Sequence, residues 1–62
     1  MKRYSVVVEL HKNGQKAETV FVEVEAGTVK LAIRRALNQL SKNSLTSEYY
    51  KNVKGVSEIA DD

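Results

Sequence analysis

The side chains best suited to acid–base or metal chemistry lie within the first 25 residues. His11 is the single histidine and sits beside the turn-forming pair Asn13-Gly14. Glu9, Glu23 and Glu25 follow the alternation of two strand-like runs, so they are expected to share the back of a hairpin. Carboxylates and an imidazole on one face are the donors that a metal site or an acid/base pair requires.

Other features weigh against this chemistry. A lone histidine at a strand end is ordinarily a solvated group, and so are glutamates on the open side of a strand. Arg3 and Lys16 are near enough to balance the carboxylates. The chain has no cysteine, no Gly-x-Gly-x-x-Gly sequence, no phosphate-binding loop and no nucleophile elbow. We therefore expect no catalysis, no cofactor, no metal and no bound small molecule.

A cationic segment is the first candidate for binding. The range 26–47 holds no acidic residue, whereas acidic side chains close the chain at 58, 61 and 62. Adjacent arginines can each fork onto a phosphate, so this segment is a candidate nucleic-acid surface. The alternative is a solvated helix face, and a net charge of +2 does not by itself indicate nucleic acid. The cations in question are Lys30, Arg34, Arg35 and Lys42.

Alternation predicts the two strands that position the glutamates. Residues 4–11 (YSVVVELH) and 18–26 (ETVFVEVEA) both place apolar side chains at even positions. Even residues must then oppose even residues, or the apolar faces would point to opposite sides. A three-residue loop, Lys12-Asn13-Gly14 with Gly14 left-handed, satisfies this and opposes Val6 to Val20. The alternative is a bulge further along the hairpin.

A helix is predicted after Gly27, with Thr28 as its N-cap and its end near Lys42. Leu31 lies about 200° around the helix from Val29, in the middle of the cationic face. The apolar stripe that should cover the sheet is Val29, Ala32, Ile33, Ala36, Leu37 and Leu40.

The remainder of the chain has weaker signals. A helical turn is expected at about 47–52, with Tyr49 and Tyr50 packing as a pair in a loop. The run GVSEIA, 55–60, favours a short third strand beside the first and antiparallel to it. The prediction is thus a single α+β domain, 1–62, with a β-hairpin packed on one amphipathic helix in the order β-β-α-β. Residues 60–62 are expected to fray.

Val7 and Phe21 point away from the predicted helix and are expected to be neighbours across the hairpin. Either a partner protein or a second copy covers them, or the C-terminal segment folds beneath the sheet. Leu31 beside Arg35 resembles a protein-binding anchor. The candidate protein or self-association surface is therefore Val7, Phe21, Leu31 and Arg35.

The run FVEVEAGTVKLAIRRAL, a strand, a Val-Glu-Ala-Gly-Thr corner and a helix with Ala-Ile-x-x-Ala-Leu spacing, resembles small β-β-α-β proteins of bacteriophages and prophages. The resemblance covers about residues 4–40, and no site residues are carried over from it. It implies a small protein that binds host machinery such as RNA polymerase, or one of unknown activity. We expect a cytoplasmic interaction protein, in a bacterial host if phage-encoded. The alternative is a nucleic-acid-binding accessory protein.

Overall fold

The computed structural model describes residues 2–59, which form three strands and one helix in the predicted order β-β-α-β. Every strand pair is antiparallel, and the most apolar strand lies in the centre, so the α+β class and the strand order are confirmed. Residues 60–62, which were predicted to fray, lie outside the described range. The elements are β1 (Lys2–His11), β2 (Glu18–Ala26), α1 (Val29–Lys42) and β3 (Tyr50–Ile59).

The core lies between α1 and the even-numbered face of β1 and β2. Ala32 and Ala36 are fully buried, and their small side chains let the helix backbone approach the sheet closely. Val53 and Val56 of β3 are half-buried and pack against this core. The buried apolar residues are Tyr4, Val6, Val8, Leu10, Val24, Ala26, Ala32, Ala36 and Leu40.

The pairing of β1 with β2 keeps the predicted even-with-even parity but differs from the predicted register by two residues. Val6 lies opposite Val22 and not Val20. Residues 12–17 connect the two strands, so the predicted three-residue loop is wrong. Gly14 does have the predicted positive φ, 75°. Hydrophobic alternation could not distinguish the two registers, because a shift of two residues leaves every side chain on the same face.

The third strand is longer than predicted and replaces the expected helical turn at 47–52. It begins at Tyr50 and runs for 10 residues, whereas the turn lies at residues 44–48. Pairing with the full length of β1 explains the difference, since ladder hydrogen bonds with a central strand override weak local preferences. Tyr49 packs against the core, but Tyr50 is 80% exposed, so the predicted tyrosine pair is also wrong.

The helix begins as predicted: the Thr28 hydroxyl accepts a hydrogen bond from the Leu31 amide at 3.2 Å. Its inward side differs from the predicted stripe. Val29 is 49% exposed, and Ile33 is half-buried outside the core cluster. Leu31, predicted to lie on the cationic face, is half-buried and packs against the core. The cause is the placement of α1, which lies mainly against β2 and only slightly against β3.

Candidate functional site

Glu9, Glu23, Glu25 and His11 lie on the back of the sheet, as predicted, and their contacts there are with one another or with nearby cations. One Glu9 carboxylate oxygen lies 2.5 Å from His11 Nε2 and 4.0 Å from Lys54 Nζ. Arg3 Nη2 lies 3.9 Å from a Glu23 carboxylate oxygen. Within residues 2–59 no three histidine or acidic side chains come together in a way that could hold a metal ion. What this arrangement provides is local charge balance.

The sheet face that points away from α1 is termed the open face; it carries the odd-numbered side chains of β1 and β2 and their partners on β3. Its middle row is Phe21, Val7 and Gly55, which lie opposite one another across the three strands. Phe21 is 70% exposed, whereas Val7 is half-buried between its neighbours. A Cβ added at Gly55 would meet no atom within 4 Å. The row therefore has a projecting ring at one end and a position without a side chain at the other; the open space over Gly55 is termed the depression at Gly55.

On either side of the middle row the open face is mostly polar. Ser5 lies opposite Ser57, and Ile59 lies opposite Arg3 near one end. At the other end Tyr50 lies opposite His11, which places its exposed ring on the same face. The charges nearly balance, since three carboxylates accompany two permanent cations. The charged residues are Glu9, Glu23, Glu25, Arg3 and Lys54.

Both edges of the sheet have features that oppose the addition of another strand. On β2 the Glu25 carbonyl accepts a hydrogen bond from Arg35 Nη1 at 2.5 Å, so α1 reaches over this end of the strand. On β3 the register with β1 shifts, and Lys54 is an extra residue between Val53 and Gly55. A bulge and a lysine on an edge strand both hinder intermolecular pairing. The open face is therefore the better docking surface.

The cationic face of α1 is smaller than predicted. Arg35 was expected to point outward, but its long side chain crosses to the Glu25 carbonyl of β2. Lys30 and Arg34 are exposed beside a shallow depression of about 240 Å³. Lys42, also exposed, follows Arg34 by two turns, about 12 Å along the axis. The residues lining the depression are Thr28, Lys30, Leu31 and Arg34.

The predicted protein-binding residues therefore divide between two surfaces. Val7 and Phe21 are neighbours on the open face, as expected, and the observed register sets them directly opposite each other. Leu31 and Arg35 lie on the helix side and contribute to packing or to hydrogen bonding with β2. Sequence analysis missed Gly55, although a glycine within a strand commonly marks a bulge or a close approach of another backbone.

Comparisons of the chain with protein-family models, with curated proteins and with solved structures found no match. The only helix among residues 2–59, α1, is too short and too polar to cross a membrane. The candidate site is therefore defined by the geometry of the open face.

Proposed function

We propose that this protein is a non-catalytic interaction protein that binds another polypeptide through the open face of its sheet. The observation that carries the proposal is the exposure of Phe21, 70%, at the end of a row that includes Val7. A single exposed apolar residue is ordinary on a protein surface. Here Phe21, Val7 and Tyr50 share one sheet face, and a face of this kind commonly docks a partner.

The chemistry of the open face fits a protein partner better than it fits a charged polymer or a small substrate. Its carboxylates and cations nearly balance, so it has no strong field to attract nucleic acid. Phe21 and Val7 in the middle row, with serines and paired charges on either side, match the apolar core and polar rim of a protein interface. The resemblance of residues 4–40 to phage and prophage proteins fits an interaction role in the bacterial cytoplasm.

A capture experiment with paired variants tests this function. The tagged chain, Phe21→Glu and Leu45→Glu are each incubated with lysate of the organism that encodes the protein. Leu45 is a matched control because it is 80% exposed in the turn after α1 and is not part of any strand. We expect a protein that is retained by the wild type and by Leu45→Glu and is lost with Phe21→Glu. Equal retention by Phe21→Glu would contradict the open-face proposal.

Nucleic-acid binding is the second candidate, favoured by the exposure of Lys30 and Arg34 side by side around the depression on α1. Including Lys42, three cations remain for phosphate contacts, so the log–log salt slope on duplex DNA should be no steeper than about −3. A nuclease-treated arm of the capture experiment separates the candidates. Loss of the captured protein after nuclease treatment, together with loss in Lys30→Glu/Arg34→Glu, would favour nucleic acid.

A further inference from the structure

We propose that the polypeptide bound by the open face is a second copy of this chain, in a back-to-back dimer in which each Phe21 ring fills the other copy's depression at Gly55. The inference rests on the proposed function and adds the identity of the partner. The observation behind it is the middle row of the open face, where Phe21 and Gly55 occupy opposite ends and Val7 lies between them.

Two-fold symmetry makes this row complementary to itself. The two-fold axis runs parallel to the strands and passes between the two open faces, at the level of Val7. It places β2 of one copy over β3 of the other. Each projecting Phe21 then faces the site where Gly55 has no side chain, and the two Val7 side chains meet on the axis. A symmetric dimer requires such an isologous patch, in which residue i contacts j and j contacts i.

The dimensions of the face suit a second copy. Strands of 10, 9 and 10 residues extend roughly 30 Å and, spaced about 4.8 Å apart, cover a width of roughly 14 Å. Each copy would thus bury on the order of 450 Å², or about 900 Å² for the pair, clearly below the range of about 1,200 to 2,000 Å² for stable complexes. A copy covers the whole face because it has the same outline. The small area predicts a weak dimer that forms only at high concentration.

Charge also favours self-association through the open face over the helix side. Two of the three carboxylates of the open face lie near cations of the same copy, with Arg3 beside Glu23 and Lys54 beside Glu9. The outer side of α1 instead exposes Lys30 and Arg34, and its first turn has no acidic residue. Two helix sides brought together would repel each other, whereas two open faces carry little net charge.

Sedimentation of the full chain from roughly 10 µM to 1 mM tests the proposal. We expect a concentration-dependent monomer–dimer equilibrium. Phe21→Glu should raise the dissociation constant at least about 30-fold, the effect typical of losing a central aromatic anchor. Gly55→Val should raise it about tenfold or more, because the new side chain occupies the space that the Phe21 ring needs.

Gly55→Val distinguishes this dimer from non-specific self-association. The backbone at Gly55 is not left-handed and an added Cβ meets nothing, so valine should fit the monomer and suit a strand. Its melting temperature at low concentration should match or exceed that of the wild type. Leu45→Glu introduces the same charge at an exposed apolar site off the face and should leave the equilibrium unchanged.

The outcomes separate this inference from the proposed function. A wild type that stays monomeric at 1 mM overturns the second copy as partner, while a heterologous protein lost on Phe21→Glu would still support open-face binding. A dimer that persists in Phe21→Glu overturns this inference, and the capture experiment then decides the open-face proposal on its own. A dimer weakened by Phe21→Glu but not by Gly55→Val refutes the ring-in-depression geometry and with it this inference.

Discussion

Leu40→Ala tests the placement of the helix, because it removes the largest buried side chain that α1 contributes to the core. Leu40 is 8% exposed, whereas Ile33, on the same helix, is half-buried and lies outside the core cluster. The sequence pattern assigned both residues to a single stripe. Comparing their alanine variants therefore tests the tertiary structure and not the pattern.

The expected losses of unfolding free energy follow from how deeply each side chain is buried. Truncating a buried leucine costs about 2 to 5 kcal/mol, and a value near 3 suits a position in the last turns of a helix where neighbours can relax. Ile33→Ala should cost less, about 1 kcal/mol, because the Ile33 side chain is half-buried outside the core cluster and alanine gains a few tenths in helix propensity. For a chain of 62 residues the whole stability is roughly 3 to 9 kcal/mol, so Leu40→Ala removes a third of it or more.

Urea unfolding followed by far-ultraviolet circular dichroism measures both effects, since the chain lacks tryptophan. At about 4 to 8 °C per kcal/mol, Leu40→Ala should also lower the melting temperature by roughly 12 to 24 °C. If Leu40→Ala and Ile33→Ala lose equal amounts of unfolding free energy, the apolar stripe predicted from the sequence is supported and the position of α1 is contradicted. A loss below about 1 kcal/mol for Leu40→Ala would contradict the core itself.

Two further predictions concern the start of the helix. Thr28→Ala should cost about 1 kcal/mol, because the Leu31 amide loses its side-chain acceptor, while Thr28→Ser should be nearly neutral; equal stability of both variants in thermal melts would argue against the cap. Lys30→Glu should stabilise the fold by about 0.3 to 1 kcal/mol at low salt, because the first turn has no acidic residue to balance the positive end of the helix dipole. A gain that is undiminished in 1 M salt would show that another interaction is responsible.

Local patterns in the sequence were sufficient for the elements and for the faces of the first two strands. Alternation put Tyr4, Val6 and Val8 on the buried side and left Val7 and Phe21 on the other. These predictions hold because a strand has a period of two residues whatever it pairs with. The start of α1 was equally local, since it depends on the Thr28 hydroxyl and the backbone of the following turn.

Tertiary structure decided the features that hydrophobic periodicity does not determine: the strand register, the length of β3 and the position of α1. The two-residue shift in register, which set Val7 directly opposite Phe21, preserves the hydrophobic pattern and so is invisible to it. Pairing with β1 extended β3 back to Tyr50 and placed Gly55 in the middle row. The position of α1 over β2 brought Arg35 within hydrogen-bonding distance of the Glu25 carbonyl. A helical period gives relative angles around an axis but not where that axis lies on a sheet.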